Sequence, residues 1–79
     1  MTHVELLNLW PSGYGMGQET GIPIATCLRW RRLGYVPKPE YWRLLLSVAR
    51  GKGRVGAIEI DDELAELVRD IERIKGVEV

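Results

Sequence analysis

An all-α fold is predicted by the pattern of this 79-residue sequence. Apolar residues recur at intervals of three and four, the spacing of one face of a helix. Prolines and glycines separate these stretches and mark where helices begin and end. The length allows one small domain. We therefore expect four short helices followed by a C-terminal helix, with a short extended segment allowed at about 57–60.

The first helix is predicted from its N-cap. Thr2 is followed three residues later by Glu5, the spacing of a capping box, in which each side chain satisfies a backbone N–H. Pro11 ends this helix because the residue before a proline avoids helical geometry.

The second helix is predicted to start after Ser12, a favourable N-cap, and to run to about Thr20. Gly21 then supplies the left-handed residue that ends it. The helix is intrinsically weak, so packing must hold it. Three internal glycines each cost up to about 1 kcal/mol relative to alanine, namely Gly13, Gly15 and Gly17.

The third helix is predicted over about Pro23 to Leu33, with proline in its first turn and Gly34 after its end. One edge is apolar at three-residue intervals and should face the core, namely Cys27, Trp30 and Leu33. The opposite edge is expected to be free, namely Ile24, Ala25, Leu28, Arg29 and Arg32.

The fourth helix is predicted to open at Pro37 and Pro39 and to end at Gly51. Its dense apolar content marks it as the central core helix, with Tyr41, Trp42, Leu44, Leu45, Leu46, Val48 and Ala49.

The remainder of the chain divides at about residue 60. Residues 1–51 form the predicted domain, and the glycine-rich stretch 52–60 is a flexible connection. Asp61 or Asp62 is expected to N-cap a helix over 61–75. This helix can pack on the domain or pair with the same helix of a second copy.

Charge is strongly segregated although the chain has 11 basic and 11 acidic residues. Residues 29–54 contain eight basic side chains and one acidic one, a net charge of +7. Such a segment attracts phosphate even on a neutral protein. The alternative is a solvated surface whose arginines pair with the acidic C-terminal helix.

Several classes of protein are disfavoured by composition. One cysteine, Cys27, cannot form an internal disulfide, and one histidine, His3, leaves too few ligands for a zinc site. No apolar run reaches the roughly 18 residues that span a bilayer, and the N-terminus does not resemble a signal peptide. We therefore expect a cytoplasmic protein that is not an enzyme and needs no cofactor or metal.

Structural rather than catalytic or ligand-binding roles are expected for the tryptophans, the cysteine and the histidine. Trp10, Trp30 and Trp42 are predicted to belong to the core, and Cys27 to be a buried small hydrophobe. His3 is predicted to be exposed to solvent in the first helical turn.

A family resemblance emerges from the middle of the chain. Gly21-Ile22-Pro23, then Cys27-Leu28-Arg29-Trp30-Arg31-Arg32-Leu33-Gly34-Tyr35-Val36-Pro37, resembles Cro-like phage and prophage repressors and their antitoxin relatives. The match covers about residues 4–50. The resemblance implies a small helix-turn-helix bundle in which residues 1–51 bind DNA and the third helix reads bases.

Contacts with DNA follow from the resemblance residue by residue. Ile24, Ala25, Leu28, Arg29 and Arg32 would face the major groove. Arg29 and Arg32 are the candidates for guanine or phosphate contacts, and the three apolar residues can only touch thymine methyl groups.

The remaining predicted contacts go to the DNA backbone. Ser12 would present backbone N–H groups of the second helix to a phosphate. Lys38 and Arg43 would clamp the phosphate backbone, which adds affinity without sequence information.

The implied function is a transcriptional regulator of phage or mobile-element origin. It would bind double-stranded operator DNA as a homodimer in the nucleoid. Two alternatives remain open. One is a protein-interaction adaptor or anti-repressor that uses the apolar strip Ile24, Ala25 and Leu28. The other is an excisionase- or MerR-type winged helix, whose β-wing could only fall within residues 51–60.

Overall fold

Five α-helices make up the computed structural model, which describes residues 1–76, and this range contains no strand. The helices are α1 (His3–Leu7), α2 (Gly13–Thr20), α3 (Ile24–Leu33), α4 (Pro39–Gly51) and α5 (Ile60–Gly76). The all-α prediction is confirmed. None of these helices has both the length and the apolar character that crossing a bilayer requires.

The caps at the start of α1 and α2 and the glycines after α2 and α3 form as predicted, but α1 ends earlier than predicted, at Leu7 with Asn8 as its C-cap rather than at Pro11. Thr2 and Glu5 form the reciprocal capping box of α1, and the hydroxyl of Ser12 accepts a hydrogen bond from the N–H of Gly15. Gly21 (φ 78°) ends α2 and Gly34 (φ 83°) ends α3. Both glycines occupy the left-handed region, which residues with a Cβ disfavour.

A single hydrophobic core joins all five helices. The helix α2 packs against α3 and α4, whereas α1 packs against α3 and α5, and α4 against α5. The three tryptophans and Cys27 are buried, as predicted. The core consists of Leu6, Leu7, Trp10, Met16, Ile22, Cys27, Trp30, Val36, Trp42, Leu45, Leu46, Ala49 and Leu67.

The start of α5 differs from the prediction. The helix begins at Ile60 rather than after Asp61 or Asp62, and the N–H of Glu63 bonds the carbonyl of Glu59. The side chain of Ile60 is partly buried against the core. This burial favours a helix that begins one or two residues earlier than predicted. The segment allowed to be extended at 57–60 has no partner strand in the part of the chain that the structure describes.

The connection between α4 and α5 is tied back to the domain by Arg54. Its Nε and Nη2 donate to the two carboxylate oxygens of Glu19 at 2.7 and 2.5 Å. Its Nη1 donates to the carbonyl of Leu9 at 3.4 Å. This bidentate geometry is the strong form of an arginine–carboxylate contact, and it fixes the glycine-rich segment against the end of α2.

The predicted environment of His3 was wrong, because its side chain is fully buried. The imidazole Nδ1 accepts the N–H of Val36 at 3.1 Å, and Nε2 lies 3.0 Å from the carbonyl of Leu67. Burial of the ring is tolerated because both nitrogens have partners.

The predicted apolar edge of α3 was wrong at Leu33, which is 46% exposed. Each helical residue advances by about 100°, so the direction of Leu33 departs from that of Cys27 by about 120°. This rotation carries the side chain out of the buried stripe.

Candidate nucleic-acid interface

The helix α3 is anchored from behind by two buried side chains. Cys27 and Trp30 are both in the core, and the Trp30 ring lies 5.1 Å from the ring of Tyr41, centroid to centroid. A three-residue turn, 21–23, joins α2 to α3. This is the connection length of a helix-turn-helix. The turn and the two buried side chains hold α3 in place, and the face of α3 opposite Cys27 and Trp30 is exposed to solvent.

The solvent face of α3 is centred on three residues. Ala25, Arg29 and Arg32 are all exposed. On a helix with about 100° between residues, they fall within a 60° sector that points away from Cys27 and Trp30. The structure therefore brings together three of the five residues that the sequence placed on this face.

The other two, Ile24 and Leu28, lie at the border with α2. A Cβ atom on Gly13 would come within 2.7 Å of Leu28 Cδ2, and one on Gly17 within 2.8 Å of Ile24 Cγ1. The two side chains thus sit directly over the glycines of α2. They remain 37% and 39% exposed, so they form an apolar edge of the solvent face, next to α2, rather than its centre.

The guanidinium groups of Arg29 and Arg32 form no ion pair with any carboxylate of residues 1–76. Arg31, between them, is used differently, because its Nη1 donates to the carbonyls of Leu7 and Trp10 at 2.8 and 3.2 Å. Arg31 therefore joins α3 to α1. The guanidinium groups of Arg29 and Arg32 are exposed, so their N–H groups can donate hydrogen bonds to a ligand.

The predicted backbone-clamp residues have different surroundings. Lys38 is exposed and stands at the N-cap position of α4. The Nη2 of Arg43 lies 2.9 Å from Asp61 Oδ1 in a pair that is exposed on both sides. Because an exposed pair contributes about 0–1 kcal/mol, it is a weak competitor for Arg43. Within residues 1–76, this is the single ion pair between the predicted contact residues and the acidic helix α5.

The carboxylate nearest the end of α2 is neutralised. Hydrogen bonds from Arg54 and from the indole N–H of Trp10 lower the pKa of Glu19 to about 2. Glu19 is therefore ionised at neutral pH. Its negative charge is balanced by the guanidinium of Arg54, so it repels a nearby anion less than a free carboxylate would.

Two polar residues of α2 were missed by the sequence analysis. Tyr14 and Gln18 are exposed and each follows one of the two glycines that meet α3. The spacing of Gly13 and Gly17, one helical turn apart, is the signal that could have shown which edge of α2 approaches α3.

No family model, curated protein or solved structure matches this chain. Within residues 1–76, no three metal-ligating side chains come together to hold an ion.

Proposed function

We propose that this protein is a transcriptional regulator that binds double-stranded DNA by placing α3 in the major groove. The observation that carries the proposal is the exposed face of α3, on which Arg29 and Arg32 form no ion pair with any carboxylate of residues 1–76. Arginine is the side chain that most often recognises guanine, through its O6 and N7 atoms, and the major groove admits one α-helix.

Electrostatics supports the same face. Within the segment of net charge +7, Arg54 is paired with Glu19, whereas Arg31 is bound to backbone carbonyls. The exposed cations that remain on or beside α3 include Arg29, Arg32 and Lys38. Phosphate attraction is the main source of affinity for DNA.

The backbone around the turn provides a second kind of contact. Ser12 accepts one N–H of the first turn of α2, from Gly15. Other N–H groups of that turn lack an intrahelical partner. In our proposal a DNA phosphate accepts from them, helped by the helix dipole.

The resemblance to Cro-like repressors supplies the biological setting of the proposal. One small module offers little contact area, so binding as a homodimer to a palindromic operator would raise affinity. The protein would act in the cytoplasm, on the nucleoid, at promoters of phage or mobile-element genes.

The second candidate function is a protein-interaction adaptor or anti-repressor. The half-exposed Ile24 and Leu28 favour it, because they lie side by side over α2 and form an apolar patch. A winged-helix protein of excisionase or MerR type is less favoured, since residues 51–59 contain no strand.

Titration of labelled duplex DNA tests the proposal. Duplexes are first selected from a random-sequence pool, and binding is then measured by fluorescence anisotropy at several salt concentrations. The wild-type protein should bind with an affinity that falls steeply as salt rises. Changing Arg29→Ala together with Arg32→Ala should weaken binding at least about tenfold, with the helical circular dichroism retained.

The matched control is Arg69→Ala, which removes the same side chain from α5 and should leave DNA affinity nearly unchanged. If the wild-type protein shows no salt-sensitive binding to any duplex, the DNA proposal is wrong and the adaptor becomes the better candidate. Equal losses for Arg69→Ala and for the α3 variant would also contradict it.

A further inference from the structure

The exposed edge of α2 next to α3 carries two polar side chains with no assigned role. Tyr14 is 59% exposed, and Gln18 is also exposed. Neither side chain forms a hydrogen bond to another described residue. Their position relative to α3 follows from the way the two helices meet.

The contact line between α2 and α3 is defined by the two glycines. Gly13 lies under Leu28 and Gly17 under Ile24, at distances that leave no room for a Cβ atom. The helices therefore run in opposite directions along this line. The C-terminal end of α2 lies beside the N-terminal end of α3.

On one side of this line lies the core. Met16 of α2 and Cys27 of α3 are both fully buried there. With about 100° per residue, Tyr14 and Gln18 must lie on the opposite side of α2. Ala25 and Arg29 lie on the opposite side of α3 by the same argument, so the four side chains share one solvent-facing surface.

The two helices contribute different chemistry to this surface. The exposed side chains of α3 are apolar or cationic, namely Ile24, Ala25, Leu28, Arg29, Arg32 and Leu33. None of them carries an amide. The amide of Gln18, next to the N-terminal end of α3, supplies a donor and an acceptor together.

We propose that Gln18 reads an adenine in the major groove and that Tyr14 donates a hydrogen bond to a flanking phosphate. A glutamine amide matches the N7 acceptor and N6 donor of adenine. Base edges are read near the N-terminal end of the second helix of such a motif, while the first helix crosses the DNA backbone. This inference rests on the proposed DNA-binding function, because the exposed guanidinium groups of Arg29 and Arg32 are what make DNA the occupant of this surface.

The test uses the duplex selected by the wild-type protein, together with single-base-pair variants of that duplex. Affinities are measured for the wild type, Gln18→Ala, Tyr14→Phe and the control Asn8→Ala, which removes an exposed amide from the end of α1. Gln18→Ala should reduce discrimination at one A·T pair by at least about fivefold and leave the other positions unchanged. Tyr14→Phe should weaken all sequences by a similar factor without changing their order.

Replacing the adenine of that pair by 7-deazaadenine removes the N7 acceptor. The wild type should then lose affinity, whereas Gln18→Ala should be insensitive to the replacement. A variant that merely disturbed the packing of α2 would not produce this selective insensitivity.

The outcomes separate the two proposals. If the wild type selects no duplex, both the DNA-binding function and the inference are wrong. If the wild type and Asn8→Ala bind with sequence preference and Gln18→Ala keeps the whole preference, the inference alone is wrong. A loss for Gln18→Ala that is equal at every sequence also overturns it, because that result assigns the amide to the backbone.

Discussion

At the scale of single residues, His3 joins three separate parts of the fold. The N–H of Val36 donates to its Nδ1, so the ring carries its proton on Nε2 and donates it to the carbonyl of Leu67. Its backbone N–H donates to Asp70 Oδ2 at 2.8 Å. One neutral imidazole therefore connects α1, the loop after α3 and α5.

This arrangement predicts a pH dependence of stability. Burial lowers the pKa of His3 below its ordinary value of 6.5, against the opposing effects of the Leu67 carbonyl and Asp70. The unfolded chain therefore takes up a proton before the folded one does. The contribution of the buried neutral imidazole to the free energy of unfolding should be fully present above about pH 7.5. It should fall as pH drops through 6.5 toward the folded-state pKa, by at most about 1.4 kcal/mol per pH unit.

Urea unfolding between about pH 5.5 and 7.5 measures this effect. His3→Gln is the control, because its side chain does not titrate in this range, and it should lose the pH dependence while being less stable. A wild-type stability that is flat over this range, or a slope retained in His3→Gln, would contradict the account.

The glycines of α2 allow a second prediction at this scale. A methyl group on Gly17 would lie 2.8 Å from Ile24 Cγ1 and 3.0 Å from the carbonyl oxygen of Ile22. Because a backbone atom is involved, the helices must shift, and Gly17→Ala should lower the free energy of unfolding by about 1–3 kcal/mol.

Gly15→Ala is the matched control in the same helix. Its methyl group would meet only Ser12 Oγ at 3.5 Å, an ordinary contact. Better helix propensity should therefore raise stability by up to about 1 kcal/mol. Chemical denaturation of both variants checks the pair, and a Gly17→Ala protein as stable as Gly15→Ala would show that the helices do not approach this closely.

The residues predicted well from sequence are those whose partners are close along the chain. Thr2 caps Glu5, and Ser12 caps Gly15, each over three positions. His3 was missed because its partners lie 33 and 64 positions away. Nothing in the local pattern indicates such a long-range contact.

At the scale of helices, α5 is part of the core. Leu67 is fully buried, whereas its neighbour Val68 is 44% exposed. The three- and four-residue spacing of apolar side chains predicted the helix itself. It did not predict where the helix begins, because the partial burial of Ile60 against the core is a tertiary contact.

This burial predicts unequal effects of two neighbouring substitutions. Leu67→Ala should lower the free energy of unfolding by about 2–5 kcal/mol through lost burial and a cavity. Val68→Ala should change it by no more than about 0.5 kcal/mol. Urea denaturation decides the matter, and a similarly small effect of both changes would mean that α5 does not belong to the core.

At the scale of the whole molecule, the basic side chains of residues 29–54 fall into two groups. Some form tertiary contacts that stabilise the fold, and others are exposed to solvent. Arg31 and Arg54 stabilise the fold through Leu7 and Glu19, respectively, and Arg43 meets Asp61. Arg29 and Arg32 have no such partner among residues 1–76. The sequence predicted that a positive segment exists, but only the three-dimensional arrangement distinguishes the cations that hold the fold from those that face outward.

The sequence predicted only part of the candidate site. The helical period placed Ala25, Arg29 and Arg32 on one face, and the structure shows them exposed there. It could not show that Ile24 and Leu28 are partly covered by α2, because this depends on how closely two helices approach. For the same reason, Tyr14 and Gln18 were not expected beside α3.

The most direct measurement is a backbone amide NMR titration of the isotope-labelled protein with its selected DNA duplex. We expect the chemical-shift changes to concentrate at residues 24–32 of α3 and at the adjoining edge of α2. The amides around Arg69 in α5 should hardly move. Shifts confined to α5, or no shifts at DNA concentrations where binding is complete by anisotropy, would contradict the claim that the exposed face of α3 meets the double helix.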